Sequence, residues 1–349
     1  MPLLLADILE LDLTGMNIDA VSHKYSVLEA QFGDGRSDGV RVGDAGGTQS
    51  FRLSAGVLPD DAALGSLING VPRFEYYYEF YKARMRAGNQ AFAITHRGRK
   101  YHVKFETTDF SYEVFTADLF QAGIALRQAR VQGIYYTDDG YAYDPTDVAS
   151  LWGGWMPSGF VTISDLWNGE IGSRVLNMVD DVEELSADQN GLNVLALSQT
   201  TNDGMLQNTA IGTTIYDVMM VMKMREATFS NNCGILTGDG ASDPQCLLGS
   251  SGTTKFQDLS LGGTYSYRLN GTQYAANNQQ APMNEYGVVH IRYTTGWNLA
   301  GGFQFGKNRT TGSTFAEANF GEIWMSSTAL TAAEYTDLQR YLTIKWRTT

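Results

Sequence analysis

Apolar and polar residues alternate in short runs along most of this chain, and glycine and aspartate break the runs. In residues 101–106, Tyr101, Val103 and Phe105 alternate with His102, Lys104 and Glu106. A period of two is the mark of a half-buried strand. Residues 90–106 therefore predict a hairpin turning at Arg97-Gly98, and 25–58 reads as strand, loop, strand. Residues 109–131 add a further strand whose tail fits strand or helix. The same texture fills GLNVLALS (191–198), IYDVMMVMKM (215–224), YSYRLNGTQY (265–274), YGVVHIRYTTG (286–296), GGFQFGKNR (301–309) and FGEIWMSS (320–327). Asn270-Gly271 supplies the pair of positive φ angles that a tight hairpin requires. No 20–50-residue period repeats, which excludes a solenoid or propeller.

Two segments switch to helical spacing. In 73–88, Phe74, Tyr77, Tyr78, Tyr81 and Met85 fall at steps of three and four, and Gly88 is a stop signal. In 331–346, Thr331 and Glu334 form a T-x-x-E capping box, with Leu330 and Tyr335 at the spacing of a hydrophobic staple. Tyr335, Leu338, Tyr341, Leu342 and Trp346 then share one face, while Thr336, Asp337, Gln339, Arg340 and Lys345 lie mainly on the other. Such a helix must lie on a surface that the strands provide. The polar, turn-rich passage 135–147 marks a boundary, so the pattern predicts two domains, 1–140 and 141–349. Both are mainly β, the second a β-sandwich closed by the terminal helix.

Composition fits this picture. The 38 glycines, 16 Phe and 19 Tyr against 7 prolines suit short strands and tight turns. The net charge of -13 argues against a protein that coats nucleic-acid phosphates. Asp7, Glu10 and Asp12 interrupt the apolar start, so no secretory signal is expected, and no stretch approaches the roughly 20 apolar residues of a membrane span. Synthesis in a cytoplasm is the expectation. Two cysteines, Cys233 and Cys246, exclude a disulfide scaffold and a thiolate zinc site; they are either bridged or two small buried residues.

Candidate chemistry is sparse. A glycosidase needs two carboxylates flanking the scissile bond. The pairs Asp180-Asp181 and Glu183-Glu184 sit in a polar run and read as solvated loop residues. His23, His96, His102 and His290 show no metal-ligand spacing, and His102 and His290 read as surface or locally bonded. Asp239 and Asp243 in GDGASD offer oxygen ligands for a thin Ca²⁺ site. Carbohydrate would be met by aromatic faces beside amides. The candidates are Trp152 and Trp155 (with Trp167 nearby), Trp297 beside Asn298, and Tyr274 beside the amide-rich Asn277, Asn278, Gln279 and Gln280. The basic residues Arg97, Arg99 and Lys100 at the hairpin tip are candidates for an assembly contact. No catalytic residue is singled out, and the chain is expected not to be an enzyme.

Residues 143–349 carry motifs in the order of a concanavalin A-like, laminin-G-like jelly roll: AYDPTDVASLWGGW, NGLNVLALS, TTIYDVMMVMKM, YRLNG, and the closing stretch from GGFQFGKNR to the terminal helix. Residues 20–131, through VLEAQFGDGRSDGVRVG (27–43) and FYKARMRAGNQAFAITHRGRKYHVKFE (80–106), resemble minor tail and distal tail hub proteins of long-tailed phages. RSDGVRVG departs from that family's usual run after the glycine turn. The resemblance implies an N-terminal β-barrel with a flanking helix that assembles as a ring, expected to be a hexamer, with tail-tube and baseplate proteins as neighbours. It also implies a place at a virion tail tip, with the sandwich facing a host-surface glycan or serving as decoration. The alternative is a carbohydrate-active enzyme, a glycoside hydrolase or lyase with a lectin-like sandwich.

Overall fold

The computed structural model describes residues 10–13, 17–24, 26–31, 37–42, 48–54, 58–59, 67, 72–86, 90–106, 111–116, 119–130, 134–137, 140–156, 159–161, 166–171, 174–179, 182–198, 205–208, 213–230, 232–238, 245–257, 265–275, 278–298, 302–307 and 315–348. The chain divides into two compact units, Met1–Tyr143 and Asp144–Thr349. Overall it is mainly β, with antiparallel sheets and a C-terminal helix.

The first unit contains β1 (Asn17–Lys24), β2 (Ser26–Gln31), β3 (Ser37–Val42), β4 (Thr48–Ser54) and β5 (Leu58–Pro59). These are followed by α1 (Arg73–Arg86), β6 (Phe92–His96), β7 (Arg99–Phe105), β8 (Ser111–Thr116) and β9 (Leu119–Gln128). The sheet runs β1-β4-β9-β7-β6, with β5 and β8 both paired to β9; β2 and β3 form a separate hairpin. No pairing among the described residues joins β1 to β6, so the expected barrel closure is not seen there. The region read as strand, loop, strand holds four strands, and the ambiguous tail of 109–131 is strand through Gln128. The β6–β7 turn has Arg97 and Gly98 at φ 52° and 74°, the left-handed pair that a two-residue hairpin needs. Tyr77 and Tyr81 of α1 pack with Phe51, Phe92, Val103, Phe105 and Leu126 into the unit's core, with Tyr81 edge-on to Phe105 at 5.0 Å.

The second unit opens with β10 (Leu151–Trp155), β11 (Phe160–Val161), β12 (Leu166–Asn168), β13 (Val175–Val179), β14 (Glu183–Gln189) and β15 (Leu192–Leu197). It continues through β16 (Met205–Asn208), β17 (Thr214–Met224), β18 (Gly234–Gly238), β19 (Gln245–Gly249), β20 (Lys255–Gln257) and β21 (Tyr265–Leu269). It closes with β22 (Thr272–Tyr274), β23 (Gln279–Gln280), β24 (Gly287–Asn298), β25 (Phe303–Phe305), β26 (Ala318–Ser326) and α2 (Ala332–Trp346). One sheet runs β14-β15-β26-β17-β24-β21-β22 with β10 beside β26; the other runs β11-β12-β13-β16-β25-β18-β19-β20-β23. Val218, Met220, Met222, Val289, Ile291 and Phe320 of the first sheet join Leu236, Leu247, Phe256, Phe303 and Phe305 of the second in one core. Asn270 and Gly271 take φ 49° and 81° in the β21–β22 turn, as the dipeptide predicts. Cys233 is a buried free thiol whose pKa burial pushes up to about 12, so the disulfide alternative falls.

Helix α2 begins as its sequence dictates. The Thr331 hydroxyl accepts from the Glu334 amide at 3.2 Å, and Glu334 accepts from the Thr331 amide at 2.8 Å. Leu338, Tyr341, Leu342 and Trp346 are buried. The helix covers the outer face of the first sheet: Tyr335 lies over His290 at 4.7 Å, and a Cβ on Gly321 would stand 2.6 Å from the Trp346 ring. Only glycine at 321 leaves room for that indole. At the far end, Gln189 and Asn190 donate to the carbonyls of Trp346 and Lys345, each at 2.6 Å, serving C-terminal acceptors that the helix cannot satisfy itself.

Candidate functional site

Beneath the start of α2 lies the most charged buried spot among the described residues. Asp217 on β17 accepts from His290 Nε2 at 2.7 Å and Arg292 Nε at 2.6 Å through one oxygen. Its other oxygen accepts from the Leu330 amide at 2.8 Å and the Ser326 hydroxyl at 3.4 Å. Burial alone would push the Asp217 carboxyl up; the bonds from His290, Arg292 and Leu330 outweigh it and hold the group below the ordinary carboxylate value. Burial pushes His290 down against the pull of Asp217. Arg292 also donates to the Leu330 carbonyl at 2.8 Å. A carboxylate and imidazole sealed under a helix have no access to a substrate, so this network clasps the helix. The sequence reading of His290 as a surface or locally bonded residue holds only in its second half: the ring is fully buried. His102 is buried too, bonded to the Tyr136 hydroxyl at 2.7 Å, and burial lowers its pKa to about 4.

The carbohydrate candidates separate on exposure. Trp155 and Trp297 are 0% and 2% exposed, and both sit in the sandwich core. Neither offers a ring face to a sugar, which corrects the sequence reading. Both are placed by strands: Trp155 ends β10, and Trp297 stacks on Tyr293 at 5.5 Å near the end of β24. Trp152 is half-buried, and the Arg174 guanidinium covers its ring at 4.0 Å. Asn298 is exposed. Trp167 lies on β12, and nothing is described of its side chain.

Tyr274 and the amides after it come together at the sandwich edge where β22 and β23 end the two sheets. Half-buried Tyr274 lies 6.2 Å from Tyr267, whose hydroxyl donates to the Gln280 carbonyl at 2.6 Å. Gln279 is buried and donates to the half-buried Tyr265 hydroxyl at 2.9 Å. Gln280 donates to the exposed Asn278 at 3.4 Å and accepts from Thr254 at 3.4 Å. Part of the predicted loop is therefore edge strand: Gln280 pairs with Lys255 and Gln279 with Phe256. Two half-exposed phenol rings beside amides and a hydroxyl make an edge suited to a pyranose, which presents a C–H face to aromatics and hydroxyls to amides. Tyr265 and Gln280 escaped the sequence reading because only the pairing of β20 with β23 brings them beside Tyr274.

Other candidates fare differently. Asn277, Asp239 and Asp243 lie outside the described residues. Among the described residues, no group of three or more His, Cys, Asp or Glu is placed to hold a metal. Glu183 and Glu184 stand on edge strand β14 rather than in a loop, and Glu184 accepts from Asn193 at 2.6 Å; Asp180 and Asp181 are not described. At the hairpin tip Arg97 is exposed, Arg99 lies over Tyr141 at 4.3 Å, and Lys100 pairs with Glu10 at 3.2 Å.

No family model matches the chain, and no curated protein sequence matches it. Among solved structures it is similar to Trypanosoma rangeli sialidase in complex with sialic acid, at 9% identity and TM-score 0.40, covering 92% of this chain and 53% of that one. It is also similar to the same sialidase with the inhibitor DANA, at 11% identity and TM-score 0.39, over 73% of this chain and 44% of that one. A third is the exo-beta-1,3-galactanase from Phanerochaete chrysosporium with galactose, at 10% identity and TM-score 0.22, over 87% and 69%. The chain spans about half the length of the sialidase. At these scores the likeness assigns no family and carries no residue roles. The structures it is similar to are nonetheless carbohydrate-active enzymes, so the expectation that the chain is not an enzyme is withdrawn.

Proposed function

We propose that the second unit is a carbohydrate-recognising β-sandwich that takes a sugar on the Tyr265–Tyr274 edge. The observation that carries this reading is the pair of half-exposed tyrosines flanked by Asn278, Gln280 and Thr254. In it the phenol faces stack on the sugar ring, and the amides hold its hydroxyls. The test is a glycan array with the full chain, followed by titration calorimetry of the best ligand against Tyr274→Ala and Asn278→Ala. Loss of binding in both, with an unchanged melting temperature, supports the reading; unaltered binding defeats it. Release of new reducing ends from the bound glycan would add catalysis to recognition.

The finer reading, a virion tail-tip protein whose first unit joins a ring, is part of this proposal and rests on the sequence motifs of residues 20–131. Electron microscopy of the purified chain tests it: closed rings support it, and a monomer at all concentrations counts against it.

A further inference from the structure

On β7, Tyr101, Val103 and Phe105 are buried in the core, so Lys100, His102 and Lys104 occupy the opposite face of the sheet. The register sets Lys104 directly opposite Arg127 of β9. Arg127 is exposed and Lys104 half-buried, and no described residue forms an ion pair with either. Like charges facing each other across two strands destabilise a sheet. Glu106 stands two residues along β7, in register with Ala125 rather than with Arg127. Nearby, Tyr136 packs edge-on against His102, and the exposed Arg130 lies 5.7 Å from the Tyr136 ring. Lys104, Arg127 and Arg130 thus gather cations on a chain whose net charge is -13.

We propose that this face is a docking surface for an acidic peptide segment of a partner protein. Charge complementarity selects an anion: a carboxylate between Lys104 and Arg127 would turn a repulsive pair into two charge-assisted hydrogen bonds. The flat sheet face favours a peptide over other polyanions. An extended strand brings a carboxylate to the same side every second residue, about 7 Å apart, on the scale of the spacing along β7. Tyr136, the aromatic nearest these cations, is buried, so it offers no ring for stacking nucleobases or sugars.

The test uses the full chain and a fluorescein-labelled octaglutamate peptide, read by anisotropy at low salt. A heparin fragment and a single-stranded oligonucleotide form parallel arms. Wild type is expected to bind octaglutamate saturably and more tightly than either other polyanion. Lys104→Glu is expected to weaken that binding about tenfold or more, the scale of one lost charge-assisted contact. The same substitution makes an ion pair with Arg127, so it should hold or raise the melting temperature; a misfolded variant would lower it. Arg127→Gln, which removes the charge without reversing it, should also weaken binding. Binding unaffected by both substitutions, tighter binding of heparin or the oligonucleotide, or no octaglutamate binding by the wild type would each overturn the proposal.

Discussion

Asp217→Asn isolates the clasp that seats the terminal helix. The asparagine side chain fills nearly the same volume but has one acceptor oxygen and no charge. The present carboxylate serves His290, Arg292, Leu330 and Ser326 at once, 1% exposed. Removing one partner of a buried charged pair costs about 3–5 kcal/mol. Loss of the neighbouring cap through Thr331→Ala costs about 1 kcal/mol. If the clasp rather than the cap anchors α2, the Asp217 variant should therefore lose some 2–4 kcal/mol more than the cap variant. All six tryptophans fall in Asp144–Thr349, so urea unfolding followed by tryptophan fluorescence reports this unit alone. Hydrogen exchange should show faster opening of the α2 amides in Asp217→Asn. Equal losses in the two variants, or unchanged exchange in α2, would refute the clasp.

Gly321→Ala should also loosen the helix, since the new methyl would stand 2.6 Å from Trp346; about 1–3 kcal/mol of destabilisation is expected in the same urea experiment. Holding Asp217 below its ordinary value gives the reverse of a histidine with a raised pKa. Its stabilisation is present above the ordinary carboxylate value and lost as pH falls through the lower folded one, so acid titration should release α2 in wild type but not change Asp217→Asn in that range. His102 has a depressed pKa of about 4, so the unfolded state binds its proton first as acid is added. Stability of the first unit, read by hydrogen exchange of the β7 amides, should therefore fall between about pH 6.5 and 4, and flatten in His102→Phe.

Local signals were the most legible in the chain. The Thr331–Glu334 capping box and the turn dipeptides Asn270-Gly271 and Arg97-Gly98 act within a few residues, so each reads correctly alone. Coverage of a sheet face is not local. β17, IYDVMMVMKM with its preceding threonine, is buried on nearly every position because the opposite sheet packs on one side and α2 on the other. For the same reason alternation could place His290 on a face but not show that a helix roofs it. Glu183 and Glu184 read as loop because polarity suggests solvent, yet polar residues also keep an exposed edge strand such as β14 from pairing with a neighbour. Tryptophan spacing could not separate a platform from core, and in Trp155 and Trp297 it is core. The tyrosine–amide edge needed the β20–β23 pairing, made by residues more than twenty positions apart.

The proposal of carbohydrate recognition stands or falls on titration calorimetry of the strongest array ligand against wild type and a Tyr265→Ala/Tyr274→Ala double variant. The account predicts saturable heat with the wild type and none with the folded double variant. Equal affinity in both proteins, or binding lost only on substitution at Trp152, would contradict it.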